Sequence, residues 1–354
     1  MLTEQTAPSN ITICSSLKDD AWRDLDGTSA FESWHFDAIS DDGCEALVVA
    51  FYDNYALSPR FHQSTLHIEK RRHPAVSFVY SVDGKVVLSS VNEYLHRDFR
   101  ASCDIPECRI GESSFEVRIA DYGSGFAVSI DIQALGGRLI KAELEWLLIE
   151  ADMMPMDGEP ADAVWDLVAP RADVSGRISL IGRRGKIRKE IHFRGTGYHD
   201  HISSNNVHYR DLASRMWGRA HFVDSTVVFE RHGGVQNRSA PGTFFLIRDG
   251  KIEMRKAACE ASEFKRDRWG LMLPHQICFA SDDAIKICVT PMSVIRSGFS
   301  DVKTLSRIDL DLGDGRTREA NGITEFIDPR RLSGKITKWI SDLRIGQHGR
   351  PPLF

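Results

Sequence analysis

The sequence predicts an all-β protein built from two antiparallel β modules. Segments that alternate apolar and polar residues recur about every ten residues, which is typical of half-buried strands. Acidic residue–glycine pairs separate several of these segments, and such pairs favour tight hairpins. Helical patterns between the strands, which a parallel sheet requires, are almost absent. The chain has 354 residues, enough for about two such modules.

The composition is that of a globular protein. Hydrophobic residues make up 42% of the chain and charged residues 27%, which excludes a disordered chain. The net charge of -5 argues against nucleic acid as a partner, because phosphate binding needs a basic face. The longest apolar run, Ala46–Tyr52, is far shorter than a membrane span of about 20 residues. The N-terminus lacks the pattern of a signal peptide, so we expect a soluble, cytoplasmic protein.

Residues 1–30 are polar and lack a lasting period, so we expect a loose N-terminal arm. Residues 31–165 are expected to form the first β module, in which Asp83–Gly84 marks one hairpin turn. The predicted strands of this module are Trp34–Ala38, Glu45–Tyr52, Val76–Val82, Lys85–Leu88, Ser113–Ile119, Gly125–Ile132 and Leu139–Leu147. Ser113–Ile119, Gly125–Ile132 and most of Leu139–Leu147 alternate with period two, which gives each of these strands one apolar and one polar face.

Prolines and acidic residues interrupt the strand pattern near residues 155–170, so the domain boundary is predicted there. Residues 166–345 then form the second β module. Its predicted strands are Val174–Leu180, Lys186–Arg194, Ala220–Glu230, Gly242–Arg248, Lys251–Lys256, Ala284–Thr290 and Leu305–Leu312. One C-terminal helix is expected over Asp328–Leu343, because its apolar residues recur at spacings of three and four.

No motif in the sequence indicates a cofactor. There is no P-loop, no HExxH, no GxSxG and no strand followed by GxGxxG. The seven cysteines include no CxxC pair, so we expect reduced thiols rather than a zinc site. We therefore expect neither a cofactor nor a metal.

The densest polar cluster is the segment 192–201, which ends in Tyr198, His199, Asp200 and His201. In an extended strand Tyr198 and Asp200 share one face, and the two histidines share the other. Aspartate is a poor strand former, so a local violation of propensity here indicates a functional site.

Three interpretations of this cluster remain open. In the first, Tyr198 and Asp200 face an apolar barrel interior, where burial raises the pKa of Asp200 and lets it donate a proton. In the second, the two histidines bind a metal with His208 or His221 as a third ligand. In the third, all of these residues are structural.

Aromatic and polar residues elsewhere are candidates for the wall of a pocket, because such walls suit a long apolar ligand. Trp217 and Arg219 are separated by one glycine, an arrangement that can line a pocket mouth. The predicted substrate-binding residues of the first strands are Trp34, Phe36, Asp37 and Phe51. The alternative for each of them is ordinary core packing.

The segment 183–189 contains five basic residues around Gly185 and is predicted to be a hairpin tip. A basic tip is most often a solvated turn. A transient contact with a membrane surface or a phosphate is the alternative.

The segment Gly197–His201 resembles the carotenoid 1,2-hydratase (hydroxyneurosporene synthase) family. That family belongs to a wider group of two-domain, lipocalin-like proteins that includes fungal Diels–Alderases. Weaker matches are Trp34–Ala38, Ser40–Gly43, Ala46–Phe51 with Ser58–Pro59, Ile110–Gly111 before Phe115, and Trp217–Arg219.

The resemblance implies two lipocalin-like antiparallel β-barrel or sandwich domains with an elongated hydrophobic pocket. Hydratases of the family protonate a terminal isoprenoid double bond and trap the cation with water, without a cofactor. Carried over, the proton donor becomes Asp200, with Tyr198 beside it. His199 and His201 would then orient the site.

The resemblance ends after His201. The family continues with Asn and a Trp that stabilises the cation, whereas this chain has Ile202–Ser203. Trp217, Tyr209 or Phe193 would have to supply the missing aromatic face. A relative that cyclises or isomerises another polyunsaturated substrate fits the sequence as well as a hydratase does.

Three functions are therefore carried forward, each with a hydrophobic small molecule as the partner. The first is acid-initiated hydration, cyclisation or isomerisation with Asp200 as the donor. The second is a Diels–Alderase-like pericyclase that folds a polyene into its reactive conformer. The third is a non-catalytic lipid carrier. The sequence leaves the oligomeric state open.

Overall fold

A computed structural model of the chain describes residues 10–12, 17–64, 72–149, 163–205, 214–232, 238–333 and 335–353. The strands in these ranges are β1 (Asn10–Thr12), β2 (Phe31–Ser40), β3 (Glu45–Tyr52), β4 (Ala75–Val82), β5 (Lys85–Glu93), β6 (Phe99–Ala101), β7 (Glu107–Ile110), β8 (Ser113–Ala120), β9 (Gly123–Ala134), β10 (Arg138–Leu148), β11 (Ala163–Ile181), β12 (Ile187–Ser204), β13 (Arg215–His221), β14 (Thr226–His232), β15 (Ser239–Arg248), β16 (Lys251–Ala261), β17 (Phe264–Arg266), β18 (Met272–Pro274), β19 (Ile277–Ala280), β20 (Lys286–Ser297), β21 (Asp301–Asp311), β22 (Thr317–Ile327) and β23 (Gly346–Gln347). The helices are α1 (Pro59–Ser64) and α2 (Lys335–Leu343). The predicted all-β class with a short C-terminal helix is confirmed.

The first unit contains the described residues from 10 to 205 and from 335 to 353. Its sheet has the strand order β23-β5-β4-β3-β2-β12-β11-β10-β9-β8-β7-β6, and β1 pairs with β11. The neighbours are antiparallel except for the parallel pairs β1–β11 and β23–β5. Long strands β11 and β12 lie at the centre of this order.

Turn chemistry and alternation build this sheet as the sequence predicts. Asp83 and Gly84 both have positive φ, 49° and 70°, as a two-residue hairpin turn requires. Along β10, Ile140, Ala142, Leu144 and Trp146 are buried while the residues between them are exposed or half-buried. The buried face belongs to one apolar core.

The second unit is an eight-stranded closed barrel in the described range 214–333. Its strand order is β13-β14-β15-β16-β19-β20-β21-β22, and β13 pairs with β22 to close it. Phe229, Phe244 and Phe279 lie in its apolar core. Asp249 and Gly250 form another two-residue turn, with φ of 53° and 69°.

The domain division differs from the predicted boundary at 165/166. Strands β11 and β12 pair with each other and with β10 and β2, so they complete the first sheet. The division therefore lies between 205 and 214. The C-terminal residues also return to the first unit, where Arg60 forms an ion pair with Asp342 of α2.

Two predicted elements are divided in the structure. The predicted strand Ala220–Glu230 is a hairpin, because the amide of Phe222 bonds to the carbonyl of Ser225 over 2.7 Å and separates β13 from β14. The predicted helix over Asp328–Leu343 is a 3₁₀ turn, Pro329–Ser333, followed by α2.

The N-terminal segment 17–30 is packed rather than loose. Asp20 is fully buried, and Trp22 packs edge-on against Phe99 with ring centroids 5.3 Å apart. Arg23 forms an ion pair with Asp166 of β11. Polar side chains therefore fasten this segment to the sheet, which a search for apolar periodicity does not detect.

The expectation of reduced thiols is wrong for one pair. Cys278 and Cys288 are cross-strand partners on β19 and β20 and form a disulfide. Cys44, Cys103, Cys108 and Cys259 are free, whereas Cys14 lies outside the described residues. The ten-residue separation gave no sign of this pair because only the strand register brings the two residues together.

No helix in the described parts of the chain is long and apolar enough to cross a membrane.

Candidate active site

Strand β12 carries the Tyr-His-Asp-His segment and lies between β2 and β11. In the register with β2, Tyr198 is opposite Asp37 and Asp200 is opposite His35. Directly opposed residues share a face of the sheet, and the next residue along the strand points to the other face. The segment therefore contributes to two separate clusters, one on each face of β12.

The acid cluster consists of Tyr198, Asp200, Trp165, His35 and Asp37. Tyr198 donates a hydrogen bond from its hydroxyl to Asp200 Oδ2 over 2.8 Å, and Trp165 donates Nε1–H to the same oxygen over 2.7 Å. His35 Nε2 lies 3.3 Å from Asp37 Oδ2. Tyr198 and Asp200 are both fully buried.

Asp200 Oδ1 is buried and has no hydrogen-bond partner among the described residues. Burial raises the pKa of Asp200 above its ordinary value, although His35, Trp165 and Tyr198 each act to lower it. The pKa of Tyr198 is also raised, by its burial and by the charge of Asp200, so Tyr198 stays a hydrogen-bond donor. The cluster can therefore hold a neutral carboxylic acid with one oxygen unshared.

The histidine cluster consists of His199, His201, Asp20 and Glu32, all fully buried. His199 Nε2 is 3.0 Å from Asp20 Oδ2, and its Nδ1 is 3.0 Å from the carbonyl oxygen of His35. His201 Nδ1 is 3.3 Å from Asp20 Oδ1, and its Nε2 is 3.1 Å from Glu32 Oε2. Asp20 thus bridges the two imidazoles from the N-terminal segment.

Charges in the histidine cluster stabilise one another. Burial alone would raise the pKa of Asp20, but His199 and His201 bring it below its ordinary value. Burial alone would lower the pKa of His201, but hydrogen bonds to Asp20 and Glu32 bring it above its ordinary value. A carboxylate and a cationic imidazole are therefore favoured together in this cluster.

The histidine cluster, and not the acid cluster, faces the apolar core of the first sheet. Phe36 stacks on His199 with ring centroids 3.8 Å apart, and Trp34 stacks on His201 at 4.7 Å. Both aromatic residues belong to the core of that sheet. The expectation that Asp200 faces this interior is wrong, because odd-numbered residues of β12 point there and Asp200 points to the opposite face.

The other predicted pocket residues of the first sheet divide in the same way. Phe51 and Phe193 lie in the apolar core, where Phe51 packs against Phe115 with ring centroids 5.2 Å apart. Asp37 lies on the face of the acid cluster, opposite Tyr198. Of the predicted aromatic residues, Trp34 and Phe36 contact the histidines, whereas Asp37 lies on the same face as Asp200.

A glycine allows β12 to approach its neighbours at this point. A Cβ on Gly197 would lie 2.4 Å from Val174 Cγ2 and 2.6 Å from Trp146 Nε1. Real Cβ atoms do not approach so closely, so a larger residue would push the strand that carries Tyr198 and Asp200. The glycine before the motif therefore has a packing role.

Trp217 and Arg219 lie on β13, in the barrel unit. Their partner residues in the sheet pairing are Glu325 and Ile323 on β22. Trp217 donates Nε1–H to Glu325 Oε2 over 2.9 Å, and Lys303 Nζ lies 5.2 Å from the centre of its ring. Arg219 is fully buried. Tyr209 lies outside the described residues.

The described residues do not support the interpretation that the two histidines bind a metal. No group of three or more His, Cys, Asp or Glu residues among the described residues is arranged to hold a metal ion. His199 and His201 are both engaged with carboxylates. His221 contacts Thr226 within the barrel, and His208 lies outside the described residues.

Four residues of these clusters were missed from the sequence, namely Trp165, His35, Asp20 and Glu32. Trp165 of β11 lies directly opposite Ile202 of β12, whereas Ser203, the position of the expected Trp, lies opposite Val164. His35 stands in the Trp34–Ala38 segment, where alternation with Asp37 could have marked it. Nothing in the local sequence marked Asp20.

No protein-family model matches the chain. A hydroxyneurosporene dehydrogenase of Chlorobaculum tepidum is 21% identical over 364 residues, covering 96% of this chain and 93% of that protein. The crystal structure of CghA with Sch210972 has a TM-score of 0.58 at 15% identity, covering 85% of this chain and 88% of that one. Kievitone hydratase from Nectria haematococca has a TM-score of 0.54 at 8% identity, covering 89% and 93%.

These likenesses show a shared fold across most of the chain. They confirm the resemblance to two-domain, lipocalin-like proteins that the segment around Asp200 predicted.

Proposed function

We propose that this protein is a cofactor-independent enzyme that acts on a hydrophobic polyunsaturated small molecule of the isoprenoid or terpenoid type. Asp200 is the acid that starts the reaction. The observation that carries the proposal is the Asp200 carboxyl, whose Oδ2 accepts both hydrogen bonds while Oδ1 has no partner among the described residues. The similar proteins include a hydroxyneurosporene dehydrogenase and kievitone hydratase, which supports the proposed chemistry and substrate class.

The position of the acidic proton follows from this asymmetry. A protonated carboxyl has one O–H donor and retains acceptor capacity on its other oxygen. Because Trp165 and Tyr198 both donate to Oδ2, the proton belongs on Oδ1, where it is not shared. Burial raises the pKa of Asp200, so this carboxyl keeps its proton to a higher pH than an exposed aspartic acid does.

The first step transfers this proton from Asp200 Oδ1 to one carbon of a double bond. The π electrons form the new C–H bond, a cation remains on the more substituted carbon, and Asp200 becomes a carboxylate. The hydrogen bonds from Trp165 and Tyr198 then stabilise the negative charge on Oδ2. The Trp165 indole also supplies aromatic surface beside Asp200.

The cation can react further in either of two ways. In hydration, a water oxygen adds to the cation and the carboxylate of Asp200 takes back one proton, which leaves an alcohol. In cyclisation, an internal double bond adds to the cation and leaves a new cation on the ring, whereas isomerisation needs no such addition. In both, a C–H bond next to the cationic carbon then breaks, its electrons form a double bond, and its proton returns to Asp200. His199 and His201 are positioning residues in both, because their rings contact Asp20 and Glu32 instead of the acid.

Isotope labelling tests this proposal directly. The full chain is incubated in D₂O with acyclic carotenoids and squalene, and the products are examined by mass spectrometry. Hydration adds one water and one carbon-bound deuterium, whereas cyclisation adds deuterium without water. A hydrated product without deuterium on carbon would overturn protonation by Asp200, because in hydration the acid recovers its proton from solvent water.

A pericyclic reaction is the second candidate, and the same unshared Oδ1 favours it. A protonated Asp200 could donate a hydrogen bond to the carbonyl of a dienophile instead of transferring the proton. The fold likeness to CghA, crystallised with Sch210972, is compatible with this use. Asn at position 200 keeps an N–H donor, so partial activity of Asp200→Asn would favour the pericyclic reaction over protonation.

A further inference from the structure

We propose that the adjoining turns of β9–β10 and β11–β12 form a docking surface for an anionic phospholipid bilayer. We call this surface the basic tip, and it comprises residues 135–138 and 183–189. The membrane contact does not depend on the acid chemistry proposed above, and its test needs no substrate.

The two turns form one surface because a side chain joins them. Arg183 Nε donates a hydrogen bond of 2.6 Å to the carbonyl oxygen of Gly136. A Cβ built on Gly137 would lie 3.2 Å from the same nitrogen, so the Arg183 side chain lies across the β9–β10 turn. Strand pairing also brings them together, since Leu139 of β10 is opposite Ile181 of β11.

Positive charge is concentrated on this surface although the chain is acidic overall. The residues from 183 to 189 are all exposed and include five bases and no acid, in a chain of net charge -5. Exposed Arg138 adds a further positive charge from the neighbouring turn. Glu190 follows the segment, and its carboxylate lies 3.7 Å from His192 Nε2. An anionic leaflet attracts such a cluster.

Exposed apolar side chains lie among these charges. Ile187 is 60% exposed and Leu135 is 41% exposed, although both are large hydrophobic residues. A bilayer accommodates this combination, because basic groups meet the headgroups while apolar groups enter the boundary with the acyl chains. A nucleic acid would use the charges but gain nothing from two exposed aliphatic side chains.

The alternative role of these basic residues is to protect an unpaired strand edge from pairing with other chains. Strand β12 pairs with β2 only from Gly195 onward, so Ile187–Arg194 has β11 alone as its partner in the described residues. Lysine and arginine on such an edge prevent pairing with other chains. If this alternative holds, the basic residues serve only to keep the protein from associating with other chains, and the protein should have no affinity for lipid.

Vesicle sedimentation distinguishes the two roles. The full chain is mixed with vesicles of phosphatidylcholine alone or of phosphatidylcholine with phosphatidylglycerol, at low and high salt. The test variant changes Arg184, Lys186 and Lys189, which are all exposed, to Gln. The matched control changes Lys251, Lys256 and Lys265 of the second unit to Gln, which removes the same charge from exposed positions.

We expect wild type to bind the anionic vesicles at low salt and to bind phosphatidylcholine alone weakly. Each basic residue near an anionic leaflet strengthens binding about fivefold, so the triple change at the tip should weaken it about 100-fold. The control should stay within about twofold of wild type. Ile187→Ser should weaken the binding that remains at high salt, because apolar insertion is not screened.

Three results would overturn the proposal: no binding of wild type to anionic vesicles, equal losses in the tip and control variants, or tighter binding to a DNA duplex than to the vesicles. The first would support protection of the edge, and the last would indicate a nucleic-acid surface. Because all changes lie at exposed positions, circular dichroism spectra should match wild type.

Discussion

Tyr198 and Asp200 are two residues apart on β12 and are joined by a hydrogen bond of 2.8 Å from the phenol to Oδ2. Trp165 donates to the same oxygen from the neighbouring strand. Because neither donor reaches Oδ1, the two oxygens of one buried carboxyl have different surroundings. This asymmetry separates the oxygen that carries a proton from the oxygen that holds the negative charge after the proton leaves.

Asp200→Asn should lower the rate of proton-initiated turnover by about 10²- to 10⁴-fold, the range that a general acid contributes. The amide has nearly the same shape but cannot supply the proton. Product formation from an acyclic polyene measures the effect. Asp173→Asn, an exposed change on β11, is the matched control and should leave the rate unchanged. An active Asp200→Asn variant would refute the acid role.

Tyr198→Phe should lower the rate by about 10- to 100-fold, because a hydrogen bond to a charged group is lost. It should also move the pH profile. Activity requires protonated Asp200 and so declines as pH rises through its pKa. The hydrogen bond from Tyr198 lowers that pKa, so its removal should move the decline to higher pH.

The pH dependence of kcat/KM for Tyr198→Phe, compared with the exposed Tyr122→Phe, measures this shift. A purely structural role for Tyr198 would lower the rate without moving the profile. A decline that moved to lower pH would contradict the direction of the hydrogen bond.

Local sequence patterns were enough to predict many of the strands and turns. Alternation located β10 to within a residue at either end, and the Asp-Gly pairs at 83 and 249 gave the correct turns. The domain boundary was misplaced because β11 and β12 resemble any other strands, and only their pairing with β10 and β2 assigns them to the first sheet.

Only part of the site could be predicted, because sequence patterns describe one strand at a time. Alternation on one strand grouped Tyr198 with Asp200 and separated them from the histidines, and the structure agrees. It could not say which face is the core, since both faces of β12 are buried at this point. Partners from other strands, such as Trp165 and Asp20, depend on register and could not be read from spacing.

The histidine cluster predicts a pH-dependent stability. The pKa of His201 is raised above its ordinary 6.5, so its pairing stabilises the folded state fully below that pH. This contribution should be lost as pH rises through the folded-state pKa. Urea denaturation should show the decline in wild type and in exposed His96→Gln, but not in His201→Gln. A decline that persists in His201→Gln would assign it to another group.

Removing one partner from the same cluster should be costly. Asp20→Asn removes the carboxylate that lies beside the buried cationic imidazole. Loss of one partner of a buried ion pair destabilises a protein by about 3–5 kcal/mol. The free energy of unfolding, from urea titration near neutral pH, measures the loss. A change below about 1 kcal/mol, the value of an exposed ion pair, would show that Asp20 does not fasten the N-terminal segment.

The barrel disulfide should be detectable in solution. Under denaturing conditions without reductant, Cys278 and Cys288 should resist alkylation while exposed Cys44 reacts. Changing both residues to Ser should lower the stability of the barrel by about 2–3 kcal/mol, the value for so short a closed loop. Reductant should then have no further effect. Alkylation of both cysteines without reductant would contradict the bond.

The protonation of Asp200 can be checked without any substrate. Its pKa is raised above the ordinary 3.8 by burial, so the folded state binds the proton more tightly than the unfolded state. Wild type should therefore lose stability as pH rises from 3.8 toward the folded-state pKa, because the buried carboxyl must ionise. Asp200→Asn avoids this cost, so its stability relative to wild type should increase over that window.

Thermal melts of both proteins across this pH range, with exposed Asp173→Asn as the control, give the difference. A constant difference would mean that Asp200 ionises equally easily in the folded and unfolded chain. A carboxyl that ionises so easily would not hold the proton that the proposed chemistry requires.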